Sequence, residues 1–138
     1  TEATHTDPDT VGFRFETEQG DFAYTSDTEY FEGIAKYYRD LRLLALCVMR
    51  PSGKPWKGHL STDDAITILG ETHPEQAVMT HLGMSMLTQG PEKEAKLITE
   101  KTGVPTVAAS DGMIVNIAET LTLHSGTSRR QKDLDTFL

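Results

Sequence analysis

The chain has 138 residues, of which 37% are hydrophobic and 25% charged, a balance suited to one soluble domain with one core. With 21 acidic against 13 basic residues the formal charge is -8, which argues against a broad nucleic-acid or acidic-membrane surface but leaves room for a local cationic pocket. Cys47 is the only cysteine, so no internal disulfide is possible and a reducing, cytoplasmic setting is expected. Its apolar neighbours in "LLALCVM" favour an inert core thiol over a nucleophile, and the run is far shorter than the ~18 residues that span a bilayer. No signal peptide is evident. The first residue is Thr rather than Met, so the reading frame is expected to begin upstream.

In chain order, "VGFRFET" (11 to 17) and "DFAYTSD" (21 to 27) alternate with period two around "EQG", which predicts a β-hairpin. A helix over residues 28 to 39 would place Phe31, Ile34, Ala35 and Tyr38 on one face. Residues 41 to 49, "LRLLALCVM", read as a strand covered on both faces. The Pro- and Gly-rich "RPSGKPWKG" is a loop leading to Ser61 and Asp64, which are spaced as a capping box for the next helix. "EQAVMTHLG" reads as another buried strand, and "GPEKEAKLITEKTG" as a helix with Pro91 in its first turn and Gly103 at its stop. "VPTVAAS" and "GMIVNIA" would close as a strand pair around Asp111-Gly112. Residues 119 to 138 lose periodicity and read as a polar tail or marginal helix. The predicted order ββαβαβαββ is α/β, with helices crossing over between strands of one sheet.

In such sheets, ligands collect outside the carboxyl ends of the strands. Asp27 and His81 fall at that edge, and His5 precedes the first hairpin strand and can reach the same rim. Two imidazoles and a carboxylate suit zinc, manganese or iron. Each residue also has an ordinary reading. Asp27 is well placed as a helix N-cap, His81 as a strand-end histidine, His5 as a solvated terminal residue and His59 as a residue that merely precedes a helix. Asp63 and Asp64 suit the first turn of a helix, and His73 and His124 carry no motif.

Taken together, "TH" (4 to 5) before "TVGFRFE", then "FAYTSDT", "GHLSTDDA" and "VMTHLG" resemble the second half of the metallo-β-lactamase-fold hydrolases, nearest the tRNase-Z-like and phosphodiesterase members. The similarity covers about residues 3 to 117. It implies an αββα sandwich, of which this chain would form half, as one mixed sheet with helices on one face and a boundary near residue 118. It also implies that His5 binds a first metal, His81 a second, and Asp27 bridges both, the metals most simply being two zinc ions. His59 would then contact the substrate's phosphate or transfer a proton. "SDT" here lacks the glycine usual in that turn.

The "HxHxDH" signature of the first half, which supplies the remaining ligands, is nowhere in the sequence. By the resemblance, each metal would keep one histidine and the shared Asp27, fewer than the three protein ligands of a catalytic zinc. The expectation is therefore a metal-dependent hydrolase of phosphodiesters or other esters when complete, with this chain alone inactive and binding metal weakly. Its partner would be the missing N-terminal half or a second copy of itself. The alternative is a non-catalytic half-fold that homodimerises or binds a partner through its sheet face. A doubly wound nucleotide-binding domain is disfavoured because no glycine-rich phosphate loop follows any strand.

Overall fold

The computed structural model describes residues 1–126, which fall into two compact units, residues 1–108 and residues from 109 onward. In the first unit the elements run β1 (Phe13–Phe15), β2 (Phe22–Tyr24), a 3-10 turn (Ile34–Tyr37), β3 (Leu43–Arg50), β4 (Leu60–Ser61), α1 (Thr62–Thr72), β5 (Gln76–Thr80), α2 (Met84–Gln89), α3 (Pro91–Thr102) and β6 (Thr106–Ala108). The sheet order is β1-β2-β3-β5-β6, with β4 added beside the end of β3. β1 is antiparallel to β2, whereas β2, β3, β5 and β6 are mutually parallel, so the sheet is mixed.

The almost continuous apolar run became the central strand β3, as its composition requires. Alternate side chains Leu44, Leu46 and Val48 are fully buried. They join Ala23 of β2 and Ala77 and Met79 of β5 in one cluster with Ala65, Ile68 and Leu69 of α1, Met86 of α2 and Ala95 and Ile98 of α3. The helices thus cover one face of the sheet. On the other face, β1 leaves Phe13 and Phe15 exposed at 48% and 45%, the ring of Phe15 stacking on Phe22 at 4.6 Å.

Three readings from sequence are corrected and one element is added. The helix expected over 28–39 is reduced to the 3-10 turn at Ile34–Tyr37, because Thr28 and Glu29 bond to distant segments and Gly33, left-handed at φ 84°, interrupts the path. The buried set Ile34, Ala35 and Tyr38 survives this change. The hairpin across Asp111-Gly112 does not form. A turn is present there, Met113 N–H donating to the Ser110 carbonyl, but β6 pairs in parallel with β5 instead. In the second unit, β7 (Ile114–Ile117) pairs antiparallel with β8 (Leu121–His124), so part of the stretch read as polar tail or marginal helix is strand; residues 127–138 lie outside the described residues. Finally, α2 was not foreseen. At six residues between Gly83 and Gly90 it is too short to show a period.

The capping box at α1 formed as its spacing predicts: Asp64 N–H donates to Ser61 Oγ, and Ser61 N–H to Asp64 Oδ2 at 2.8 Å. Ser61→Ala is expected to lower stability by about 1 kcal/mol, read as a reduced denaturation midpoint at unchanged m-value.

Candidate metal centre

Parallel strands present their carboxyl ends at one edge, and the chain leaves each strand there with a chemically useful residue. Asp27 follows β2, His81 follows β5 directly, and His59 arrives through the loop after β3, just before β4. The N-terminal segment is carried to the same edge by the pairing of Glu2 with Val11. His5, Asp27 and His59 each bring one possible ligand atom to within 4.8 Å of the others. His81 Nε2 lies 3.6 Å from Asp27 Oδ2. The His59 ring sits between its neighbours, with centroids 5.0 Å from His5 and 5.6 Å from His81. All four residues singled out in the sequence therefore meet in one cluster.

A brace that the sequence did not reveal holds these segments. Thr28 Oγ1 accepts from Thr4 N–H at 2.8 Å, Glu29 N–H donates to the Thr4 carbonyl at 2.8 Å, and the Glu29 carboxylate accepts from Gly58 N–H at 2.8 Å. The two residues after Asp27 thus fasten the residues immediately before His5 and His59. Gly58 is left-handed at φ 83°, which favours glycine at this turn, and a Cβ there would stand 3.3 Å from the His5 ring, a tight contact. Nothing in the pattern "SDTE" marks these hydrogen bonds, since their partners are remote in sequence. Ser26 and His81 are also left-handed, at φ 57° and 54°. Strain at non-glycine residues of this kind persists where surrounding contacts over-determine it, and it clusters at functional sites.

Burial, more than any other influence, pushes the His59 pKa below its ordinary 6.5; His5 and His81 push the same way and Asp27 opposes them. His59 Nδ1 is buried without a hydrogen-bond partner. A neutral imidazole with an orphaned nitrogen, beside another imidazole and a carboxylate, is a donor set that fits a divalent transition metal. His5 Nδ1 accepts from Asp7 N–H at 3.2 Å. A metal on either nitrogen would replace that contact, since a coordinated imidazole keeps its proton on the other nitrogen.

Other polar groups nearby have structural duties. The Cys47 thiol donates to Tyr24 Oη at 3.1 Å and lies 3.6 Å from Thr80 Oγ1. Burial drives its pKa up, in keeping with an inert core thiol. The Asp63 carboxylate binds Gly53 N–H and Ser52 Oγ at 2.8 and 2.7 Å, tying down the loop, and the Gly53 bond lowers its pKa. His73 ends α1 and His124 lies on β8.

A mixed α/β sheet with histidines and a carboxylate clustered at its carboxyl edge defines an α/β protein with a candidate metal-binding cluster. Residues 1–82 match the beta-lactamase superfamily domain, and the chain belongs to that family. An uncharacterized protein of Methanocaldococcus jannaschii is 36% identical over 120 residues, covering 83% of this chain and 44% of the relative. Among solved structures, the metallo-beta-lactamase fold protein YhfI of Bacillus subtilis aligns with a TM-score of 0.72 at 16% identity, covering 90% of this chain and 48% of that one. The metallo hydrolase Igni18 of Ignicoccus hospitalis gives 0.61 at 14% identity, over 91% and 51%. A diphosphatase of the PhnP family gives 0.58 at 19% identity, over 87% and 43%. The chain spans about half the length of each of these proteins. Among the described residues no helix is long and apolar enough to cross a membrane.

Two outcomes are expected of the metal-free chain. Because the folded-state pKa of His59 is depressed, the unfolded chain binds more protons below about pH 6.5, so stability should fall as pH drops from about 7 toward 5. His59→Gln should flatten that profile in denaturation series at several pH values. Glu29→Ala should speed amide exchange at Gly58 and lower stability by about 1–2 kcal/mol, whereas Glu29→Gln, which keeps an acceptor oxygen, should do so less.

Proposed function

We propose that this chain carries the second half of the metal site of a hydrolase acting on a phosphodiester or another ester, and that the first half of the fold completes both the sheet packing and the ligand set. The observation that carries the reading is the convergence of His5, Asp27 and His59, with His81 beside Asp27. In this reading Asp27 would be the ligand shared by two metals, zinc most simply, with His5 a ligand for the first and His81 for the second. A bound divalent metal supplies Lewis acidity toward the ester oxygen and lowers the pKa of a coordinated water. His59 meets the substrate's phosphate or moves a proton to the leaving group. Its lowered pKa leaves it neutral near pH 7, able to accept a proton before returning it.

The placement of His59 within reach of both His5 and Asp27 favours a second reading of that residue, as a third ligand of the first metal. The two are separable by experiment. In an enzyme assembled with the first half of the fold, Asp27→Ala should abolish activity and metal content together. His59→Ala should retain full metal but lose about 10²–10⁴-fold in rate if it handles the proton. Loss of about one metal per chain in His59→Ala would make it a ligand, and full metal with full activity in Asp27→Ala would refute the site.

In this reading the exposed Phe13 and Phe15 belong to a face that a partner would cover, either the first half of the fold or a second copy of this chain. As it stands the chain supplies few ligands, and at least one exchanges an existing hydrogen bond for the metal. Calorimetric titration with zinc or manganese is expected to show weak binding, with no substantial phosphodiester hydrolysis at saturating metal. A sub-micromolar site with robust turnover would show that the chain is a complete enzyme, with ligands pooled across a dimer.

A further inference from the structure

We propose that the hollow beside His59 is a subsite for a phosphate ester whose neighbouring group is a planar ring, with Trp56 and Tyr30 contacting the ring and Lys57 the phosphate. The link to turnover rests on the hydrolase reading above; the binding itself does not. The hollow, about 380 Å³, is lined by Tyr30, Trp56, Lys57 and His59, together with Glu29 and Asp64. That volume suits a small organic ligand.

Trp56 is the only tryptophan in the chain and is 57% exposed, with Tyr30 at 37%. Here the two exposed rings border one hollow, where each offers an aromatic face for stacking. Trp56 is not on a loose loop. Its carbonyl accepts from His59 N–H at 3.1 Å, so its backbone is held in register with that of the metal-centre histidine. The Arg50 guanidinium, which does not line the hollow, lies over the indole ring 5.1 Å from its centroid.

The charges sort in the same sense. The Glu29 carboxylate is engaged by Gly58 N–H and that of Asp64 by Ser61, so both acids at the rim serve the backbone. Lys57 forms no ion pair among the described residues and borders both this hollow and the smaller one that contains His5. A phosphate held by Lys57 would lie at the rim the two hollows share, leaving its ring substituent within the hollow that Trp56 and Tyr30 line. Lys57 is the one cationic side chain that lines the hollow, so it is the group available to a phosphate there.

The test uses the metal-free chain with three probes: adenosine 5′-monophosphate, phenyl phosphate and glycerol phosphate. Trp56 fluorescence is the direct reporter and calorimetry gives affinity. Both ring-bearing probes are expected to perturb Trp56 and to bind at least about tenfold tighter than glycerol phosphate, as stacking on an aromatic side chain would give. Trp56→Leu should abolish that preference, with Trp56→Phe restoring part of it. Lys57→Met should weaken all three phosphates without weakening adenosine, a ring with no phosphate. Equal affinity for glycerol phosphate, or unchanged ring preference in a Trp56→Leu chain whose circular dichroism is intact, would overturn the proposal. The two readings fail separately. Ring preference at Trp56 without hydrolysis by the assembled enzyme would remove the hydrolase reading and leave the subsite. Hydrolysis indifferent to the ring and to Trp56→Leu would do the reverse.

Discussion

The parallel hydrogen-bond register of β2, β3 and β5 is the constraint on which the site depends. Ala45 of β3 lies opposite Tyr24 of β2 on one side and Val78 of β5 on the other. The strands therefore run out at the same edge, and whatever follows them is delivered there. A parallel sheet buries its interior strands and sends its connections over the faces, which is why the long apolar run of β3 and the amphipathic α1 and α3 occur in one chain. Asp27, His59 and His81 are separated by tens of residues in sequence, yet only the strand ends stand between them in space.

Delivery to one edge does not by itself make a metal centre, because loop residues must also be held. The bonds from Thr28 and Glu29 to the Thr4 and Gly58 segments convert flexible connections into a frame, with Asp27 at its centre. Left-handed Ser26 and His81 show that the frame aims side chains against local backbone preference. Burial of His59 adds an electrostatic consequence: the imidazole stays neutral, the form that can coordinate a metal or accept a proton. The same residue borders the hollow containing Trp56 and Tyr30, so the loop between β3 and β4 serves both the centre and its surroundings.

One face of the sheet is packed by helices, while the Phe13 and Phe15 rings of β1 lie open on the other. Burying such rings is favourable by ~25 cal/mol per Å² of apolar surface.

The sequence by itself determined the α/β class, the central strand, α1 with its capping box and α3 with its Gly103 stop, because each rests on local periodicity or on residues three or four apart. It also contained His5, Asp27, His59 and His81 as candidates, in an order that resembled one family. It did not contain their mutual distances, the brace through Glu29, or the partner choice of β6, which pairs with β5 rather than closing a hairpin. Those depend on segments far apart in sequence competing for the same hydrogen-bond donors, acceptors and sheet edges. Residues 28–33 show the difference: their composition favours a helix, but the backbone and side-chain groups of Thr28 and Glu29 are taken by Thr4 and Gly58, and only the folded chain brings those partners within reach.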